Sequence, residues 1–237
     1  MTTSSETFDA SAYFDGDIAM RYDQGIRLSC PAYDALHRMM VPLLRLLPAD
    51  ARFFSAGTGT GTEIINLGTR FPGWTFVGVD ISPDMLAACR RKVDAAGFSG
   101  RVELRTGSVE QCAAKGEFDA AASVFVTHFV PGRENKLAYL RAVAAALKPG
   151  ATFILADLYG ARGTEEFTEL MKAWLLYYVS HGTTAEKLSG DLTHIFRNIS
   201  FISEDELRGL LAEAGFGSVI RFYQAFLFGG WVATRAA

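Results

Sequence analysis

From Arg52 onward the chain alternates short β-rich runs with amphipathic helical stretches, an order that few architectures accommodate. The runs are RFFSA (52–56), WTFVGVD (74–80), RVELRT (101–106), FDAAASVFV (118–126) and ATFILAD (151–157). Between them lie periodic stretches such as PDMLAACRRKVDAAG and RENKLAYLRAVAAALKPG. Strands alternating with helices build a parallel sheet whose two faces are both covered. Right-handed crossovers bring every strand's C-terminal end to one edge, where ligands bind. The last two runs, SVIRFY (218–223) and AFLFGGWVATR (225–235), are separated by almost nothing and must be antiparallel. The pattern predicts a doubly wound α/β fold with seven strands and an antiparallel last pair.

Two helical additions surround this frame. Residues 14 to 47 read as helical, with PAYDALHRMMVPLLRLL the clearest amphipathic stretch, and Pro42 should kink or break it. This gives an N-terminal helical segment over 1–48 that closes the ligand site, followed by the main domain over 49–237. A long helical insertion between Tyr159 and Ser203 carries several aromatics and two histidines. It leaves the fifth strand's C-terminal edge and should hang over the ligand crevice as a cap at about 160–202. The first dozen residues are small and polar and are expected to be mobile.

Composition narrows the function classes. The chain has 237 residues, 49% of them apolar, enough to bury a sizeable core in one domain. A net charge of -3 speaks against nucleic acid as a partner, because such proteins usually carry a basic face. Three cysteines, Cys30, Cys89 and Cys112, show no metal-ligand spacing, so no metal is expected and a reducing compartment is. No apolar run reaches membrane-spanning length, and MTTSSETFDASAYF lacks the basic-then-apolar order of a signal peptide. A cytoplasmic protein without membrane partners follows as the expectation, and a homodimer is left open.

The motifs sit where the fold puts its ligand edge. FFSAGTGTGTE places Gly57, Gly59 and Gly61 between the first strand and the first sheet-covering helix. Glycine permits positive φ and close backbone approach, and the helix that follows offers a positive dipole end. The spacing is G-x-G-x-G, not the G-x-G-x-x-G of dinucleotide sites, and the loop lacks the Lys and Ser/Thr of a P-loop. A ligand with a carboxylate and an amine suits it better than a pyrophosphate. The second strand ends in GVDIS, with Asp80 at the distance where an acid reaches a ribose diol. Ser82 serves as N-cap with Pro83 behind it, which leaves Asp80 for a ligand. Met85, one turn on, should lie against an adenine face. At the third strand's end, Ser108 and Val109 should present a hydroxyl and an apolar wall to the adenine.

Together SAGTGTG, GVDIS, TGSVEQ, FDAAASVFVTHFV and LKPGATFILAD resemble the class I S-adenosylmethionine-dependent methyltransferases, over about residues 50 to 157. The resemblance implies a Rossmann-like seven-stranded sheet and S-adenosyl-L-methionine as cofactor. It implies that Gly57, Thr58 and Gly59 cradle the methionine part, Asp80 holds the ribose, and Ile81, Ser108 and Val109 enclose the adenine. Two positions depart from the family's pattern: Ser55 and Ser108 stand where the family often has acids. The segments IRLSCPAY, VFVTHF and AGFGSVIRFYQAFLFGGWVA look like the carboxy-S-adenosylmethionine synthases. That likeness implies cofactor contact for Tyr33 and places Val124 where those enzymes have Asn. It also implies an Arg in the cap, where this chain offers Thr193 or His194, with Arg197 nearby.

Methyl transfer needs proximity, alignment and sometimes a base, since the donor is already activated. His128, in VTHF after the fourth strand, is the candidate general base. Tyr177, His181 and His194 of the cap are the candidate substrate-pocket residues. The expected function is methyl transfer from S-adenosylmethionine to a small-molecule acceptor. The alternatives are a carboxy-S-adenosylmethionine synthase-like enzyme and an RNA methyltransferase.

Overall fold

A computed structural model describes residues 10–113 and 115–237, so the expectation of a mobile start lies, for residues 1–9, outside the described residues. Seven strands form one sheet: β1 (Arg52–Ala56), β2 (Thr75–Asp80), β3 (Val102–Thr106), β4 (Phe118–Val124), β5 (Leu147–Leu158), β6 (Phe216–Ala225) and β7 (Phe228–Arg235). Their order is β3-β2-β1-β4-β5-β7-β6. The pairs among β1 to β5 are parallel, and β7 runs antiparallel to both β5 and β6. This is the doubly wound, Rossmann-like sheet with an antiparallel last pair that the pattern predicts. The central strands read as nearly continuous apolar runs because both of their faces are buried.

The N-terminal region forms α1 (Ala10–Tyr13), α2 (Gly16–Ser29) and α3 (Tyr33–Leu43). The predicted helical run is divided at Cys30–Ala32, not only at Pro42. Pro31 disfavours helix at the residue before it, and Ala32 takes a left-handed φ of 58°. Pro42 stands one residue from the end of α3. Helices α4 (Thr62–Arg70), α5 (Pro83–Ala95), α6 (Val109–Cys112), α7 (Arg133–Ala146) and α10 (Glu204–Glu213) cover the sheet. Helices α8 (Glu165–Ser180) and α9 (Ala185–Asn198) form the insertion after β5. Ser82 caps α5 by accepting from the Met85 amide at 3.1 Å, with Pro83 at the first helical position.

Three apolar clusters account for the architecture. One joins β4 and β5 to α7 and α10, with Phe54, Phe118, Phe153 and Trp231 at its centre. The opposite face joins β1 and β2 to α3, α4 and α5 through Phe53, Trp74 and Phe76. The third lies over the ligand edge and knits α2 and α3 to the cap through Tyr33, Phe125, Trp174 and Phe228. The Trp174 indole donates to the Ser29 carbonyl at 2.7 Å, tying α8 to the end of α2.

Candidate active site

The loop after β1 is anchored by its own backbone. The amides of Gly57 and Thr58 both donate to the Val79 carbonyl, at 2.8 and 2.9 Å. Gly59 donates to Asp80 Oδ2 at 2.7 Å, and Ser82 donates to Oδ1 at 2.9 Å. These amides are therefore spent on the sheet, and the loop cradles a ligand by close approach more than by donating N–H groups. Gly57 and Gly59 have φ of 75° and 52°, and a Cβ on Gly57 would run into Val126. Asp80 is also less free than the capping role of Ser82 suggests, since it accepts two amides before any ligand arrives. A carboxylate has about four acceptor positions, so two remain for a diol. Burial raises the Asp80 pKa, and the amides of Ser82, Gly59 and Ile81 oppose that rise.

A cavity opens at the C-terminal ends of β1, β2 and β4, where a doubly wound sheet binds its ligand. Gly57, Thr58, Gly59, Asp80 and Ile81 line it. So do Met85, Ser108, Val109, Val124 and, from α3, Tyr33. The structure thus brings together every residue that sequence reasoning placed at the cofactor. Among the lining residues that sequence reasoning missed, two carry ionisable groups buried at the glycine loop. Tyr22 of α2 covers the cavity, and Glu63 of α4 carries a buried carboxylate into it. Burial pushes the Glu63 pKa up to about 7, against the Ser55 hydroxyl that donates to it. A buried acid just behind a glycine loop was the available signal.

Helix α2 is latched over the loop. Asp23 Oδ2 pairs with Lys92 Nζ at 2.6 Å, and Asp23 Oδ1 accepts from the Thr60 hydroxyl at 2.6 Å. Burial raises the Asp23 pKa, but Lys92 and Thr60 outweigh it and hold the carboxyl below its ordinary value.

A second cavity lies beneath the cap and shares Phe14, Tyr22, Phe125 and Phe129 with the first. His128 and His194 line it. His128 Nδ1 bonds the buried carboxylate of Asp157, which also accepts the Thr127 hydroxyl and the Leu158 amide. With Nδ1 as the donor to this carboxylate, Nε2 is the nitrogen left to accept a proton. Burial first, then His128, lowers the His194 pKa. Tyr177 and His181 do not line this cavity. They stack on each other at 4.0 Å, with Tyr177 packed on Phe226, while Tyr178 and Asp191 line the cavity in their place. The reason is helical phase. The buried stripe of α8 is Phe167, Met171, Trp174 and Tyr178, and Tyr177 lies about 100° off it. Arg197 and Thr193 are exposed and line neither cavity.

Residues 54–153 match the family model described as "Methyltransferase domain". Over its whole length the chain is similar to the carboxy-S-adenosyl-L-methionine synthase of Methylococcus capsulatus, at 26% identity over 98% of this chain and 96% of the relative. It is also similar to the demethylmenaquinone methyltransferase of Thermus thermophilus, at 29% identity over 90% of this chain and 94% of the relative. In fold it matches a solved SAM-dependent methyltransferase of Thermotoga maritima, with a TM-score of 0.62 and 20% identity over 94% of this chain and 98% of that one. The matched methyltransferase domain and these relatives together support an S-adenosylmethionine-dependent methyltransferase, and the fold and the cavity agree with that reading. S-adenosyl-L-methionine is its cofactor, and the cavity suits that ligand: Val79 and Val109 give it apolar walls, Asp80 brings a carboxylate with acceptor positions to spare, and Gly59 leaves open space beside the loop.

Proposed function

We propose that this methyltransferase acts on a small-molecule acceptor held beneath the cap, and that His128 is its general base. The observation that carries the reading is the shared wall: Phe14, Tyr22, Phe125 and Phe129 border both cavities. An acceptor beneath the cap therefore lies next to the cofactor's cavity. S-adenosylmethionine supplies an already activated methyl group. The protein's own work is to bind, align and deprotonate. Gly57, Thr58, Gly59, Asp80, Tyr33 and Val124 hold the cofactor, while Ile81, Met85, Ser108 and Val109 enclose its adenine. Asp157 holds the His128 ring in the tautomer that leaves Nε2 able to accept a proton, and it stabilises the imidazolium that results. The N-terminal segment, 1–48, closes the cofactor site through α2 and α3.

The names of several relatives favour a second reading, carboxy-S-adenosylmethionine synthesis. Against it, no arginine lines the cofactor cavity to receive an extra carboxylate, and Val124, where the resemblance implies Asn in those enzymes, gives the cavity an apolar side chain. The chain's acidic balance likewise disfavours an RNA acceptor. No helix among the described residues is long and apolar enough to cross a membrane. The three free cysteines fit a cytoplasmic setting.

Two measurements test the proposal. Mass analysis of the nucleotide retained through gentle purification should give S-adenosylmethionine or S-adenosylhomocysteine, and the carboxylated nucleotide would favour the second reading. A metabolite panel scored by released S-adenosylhomocysteine should yield a small acceptor. Turnover confined to RNA would overturn the assignment.

A further inference from the structure

Besides Asp80 and the exposed Glu110, the cofactor cavity is lined by a buried carboxylate that the ribose assignment does not use. Glu63, in the first turn of α4, is 5% exposed and lines the cavity beside the glycine loop. The Thr58 hydroxyl reaches Ser55 Oγ at 2.9 Å, and the Ser55 hydroxyl donates to Glu63 Oε1. No lysine or arginine among the described residues forms an ion pair with Glu63. Lys92, whose field reaches it, is bound to Asp23 at 2.6 Å. A buried carboxylate without a cation is unfavourable, and one facing a cavity is best relieved by a ligand that brings the cation.

The cofactor carries two positive groups, a sulfonium and the α-ammonium of its amino-acid end. Only the ammonium has N–H donors to offer a carboxylate. A carboxylate held against the sulfonium would also stabilise a charge that disappears during transfer, which slows the chemical step. Contact with the ammonium carries no such penalty. We propose that Glu63 binds the α-ammonium of the cofactor, with Ser55 and Thr58 as the positioning residues that aim its carboxylate. The proposal rests on the cofactor reading of this cavity and adds the group that reads the amino-acid end.

Two probes separate this proposal from that reading. S-adenosylhomocysteine has the ammonium, whereas 5′-methylthioadenosine keeps the adenosine and thioether but lacks the amino acid. By calorimetry, Glu63→Gln should weaken S-adenosylhomocysteine about 10–100-fold, the range of a lost charge-assisted bond. It should leave methylthioadenosine within about twofold, which also shows that the variant is folded. Equal losses for both probes, or no loss for S-adenosylhomocysteine, would overturn the proposal. If wild-type protein bound neither probe, the cofactor reading itself would fail.

The unmodified protein gives an independent readout. Binding an ammonium should ionise Glu63, so S-adenosylhomocysteine should release about half a proton at pH 7, seen as heats that vary with the buffer. The other groups facing Glu63 are Tyr22 of α2, Tyr33 of α3, Asp80 at the end of β2, and Cys89 and Lys92 of α5. Burial raises both tyrosines and pushes the Cys89 thiol up to about 12, away from neutrality. Asp80 meets both probes, so methylthioadenosine is its control. Methylthioadenosine should release no proton, and equal release by the two probes would contradict the proposal.

Discussion

At the end of β2, Asp80 gives part of its carboxylate to the protein, and the proposed ribose contact would use the rest. Its bonds to Gly59 and Ser82 fix the glycine loop and the start of α5 before the cofactor arrives. Gly59 is the roomiest of the three loop glycines, with φ of 52° and, on the side a side chain would take, open space as far as the Met85 methyl at 3.4 Å. Gly59→Val should therefore fold, at a cost of about 1–3 kcal/mol for the strained backbone, yet lose cofactor binding. Calorimetry with S-adenosylmethionine checks this, and normal affinity would remove the loop from the site. His128→Ala should cut the methyl-transfer rate about 10²–10⁴-fold with cofactor affinity nearly intact. The deficit should shrink as pH rises and the acceptor ionises unaided. A raised KM with kcat unchanged would make His128 a wall of the acceptor pocket instead. All ten expected cofactor residues line one cavity because strand ends and glycine turns leave local marks in sequence. Asp157 and Glu63 were missed because their roles depend on partners, His128 and Ser55, that only the fold brings near.

Among the elements, the strands and the helix caps were the most legible, and the phase of the cap helices the least. ATFILAD and GVDIS announce strand and turn by composition alone. Tyr177 and Tyr178 are adjacent in sequence but about 100° apart on α8, so only the stripe through Phe167, Met171 and Trp174 tells them apart. Helix α2 gave no warning that it would latch onto the loop through Asp23. Asp23→Ala should weaken cofactor binding several-fold while changing stability by less than about 1 kcal/mol, since the Lys92 pair is partly exposed. Affinity equal to wild type would show that α2 is not a closing element. Helix α3 buries His37 with neither ring nitrogen bonded, and burial lowers its pKa from 6.5 to about 4. The folded state thus prefers neutral His37, and that stability is present above pH 6.5 and lost as pH falls towards 4. Relative to wild type, His37→Leu should gain about 2–3 kcal/mol between pH 7 and pH 4.5 in urea unfolding. A difference independent of pH would contradict the assignment.

Across the whole molecule, a cofactor in the proposed site bridges the sheet's ligand edge and the N-terminal helices that line its cavity. Fold class and cofactor were readable from strand–helix order together with the glycine loop. The cavity beneath the cap was readable only through His128 and His194, because it is assembled from α1, α2, α8, α9 and the ends of β4, β5 and β7, segments far apart in sequence. The -3 net charge leaves the protein no strong field for steering a polyanion, which agrees with a small acceptor. A ligand that binds only the folded state must raise the unfolding temperature of the whole domain. S-adenosylhomocysteine at about 100 times its Kd should contribute about 2.7 kcal/mol, or about 5–10 °C in Tm for a chain of this size. Thermal unfolding of wild type and Asp80→Ala, with and without that ligand at one fixed concentration, is the most direct test. The account predicts the full shift in wild type and less than half of it in Asp80→Ala; no shift in wild type, or equal shifts in both proteins, would contradict it.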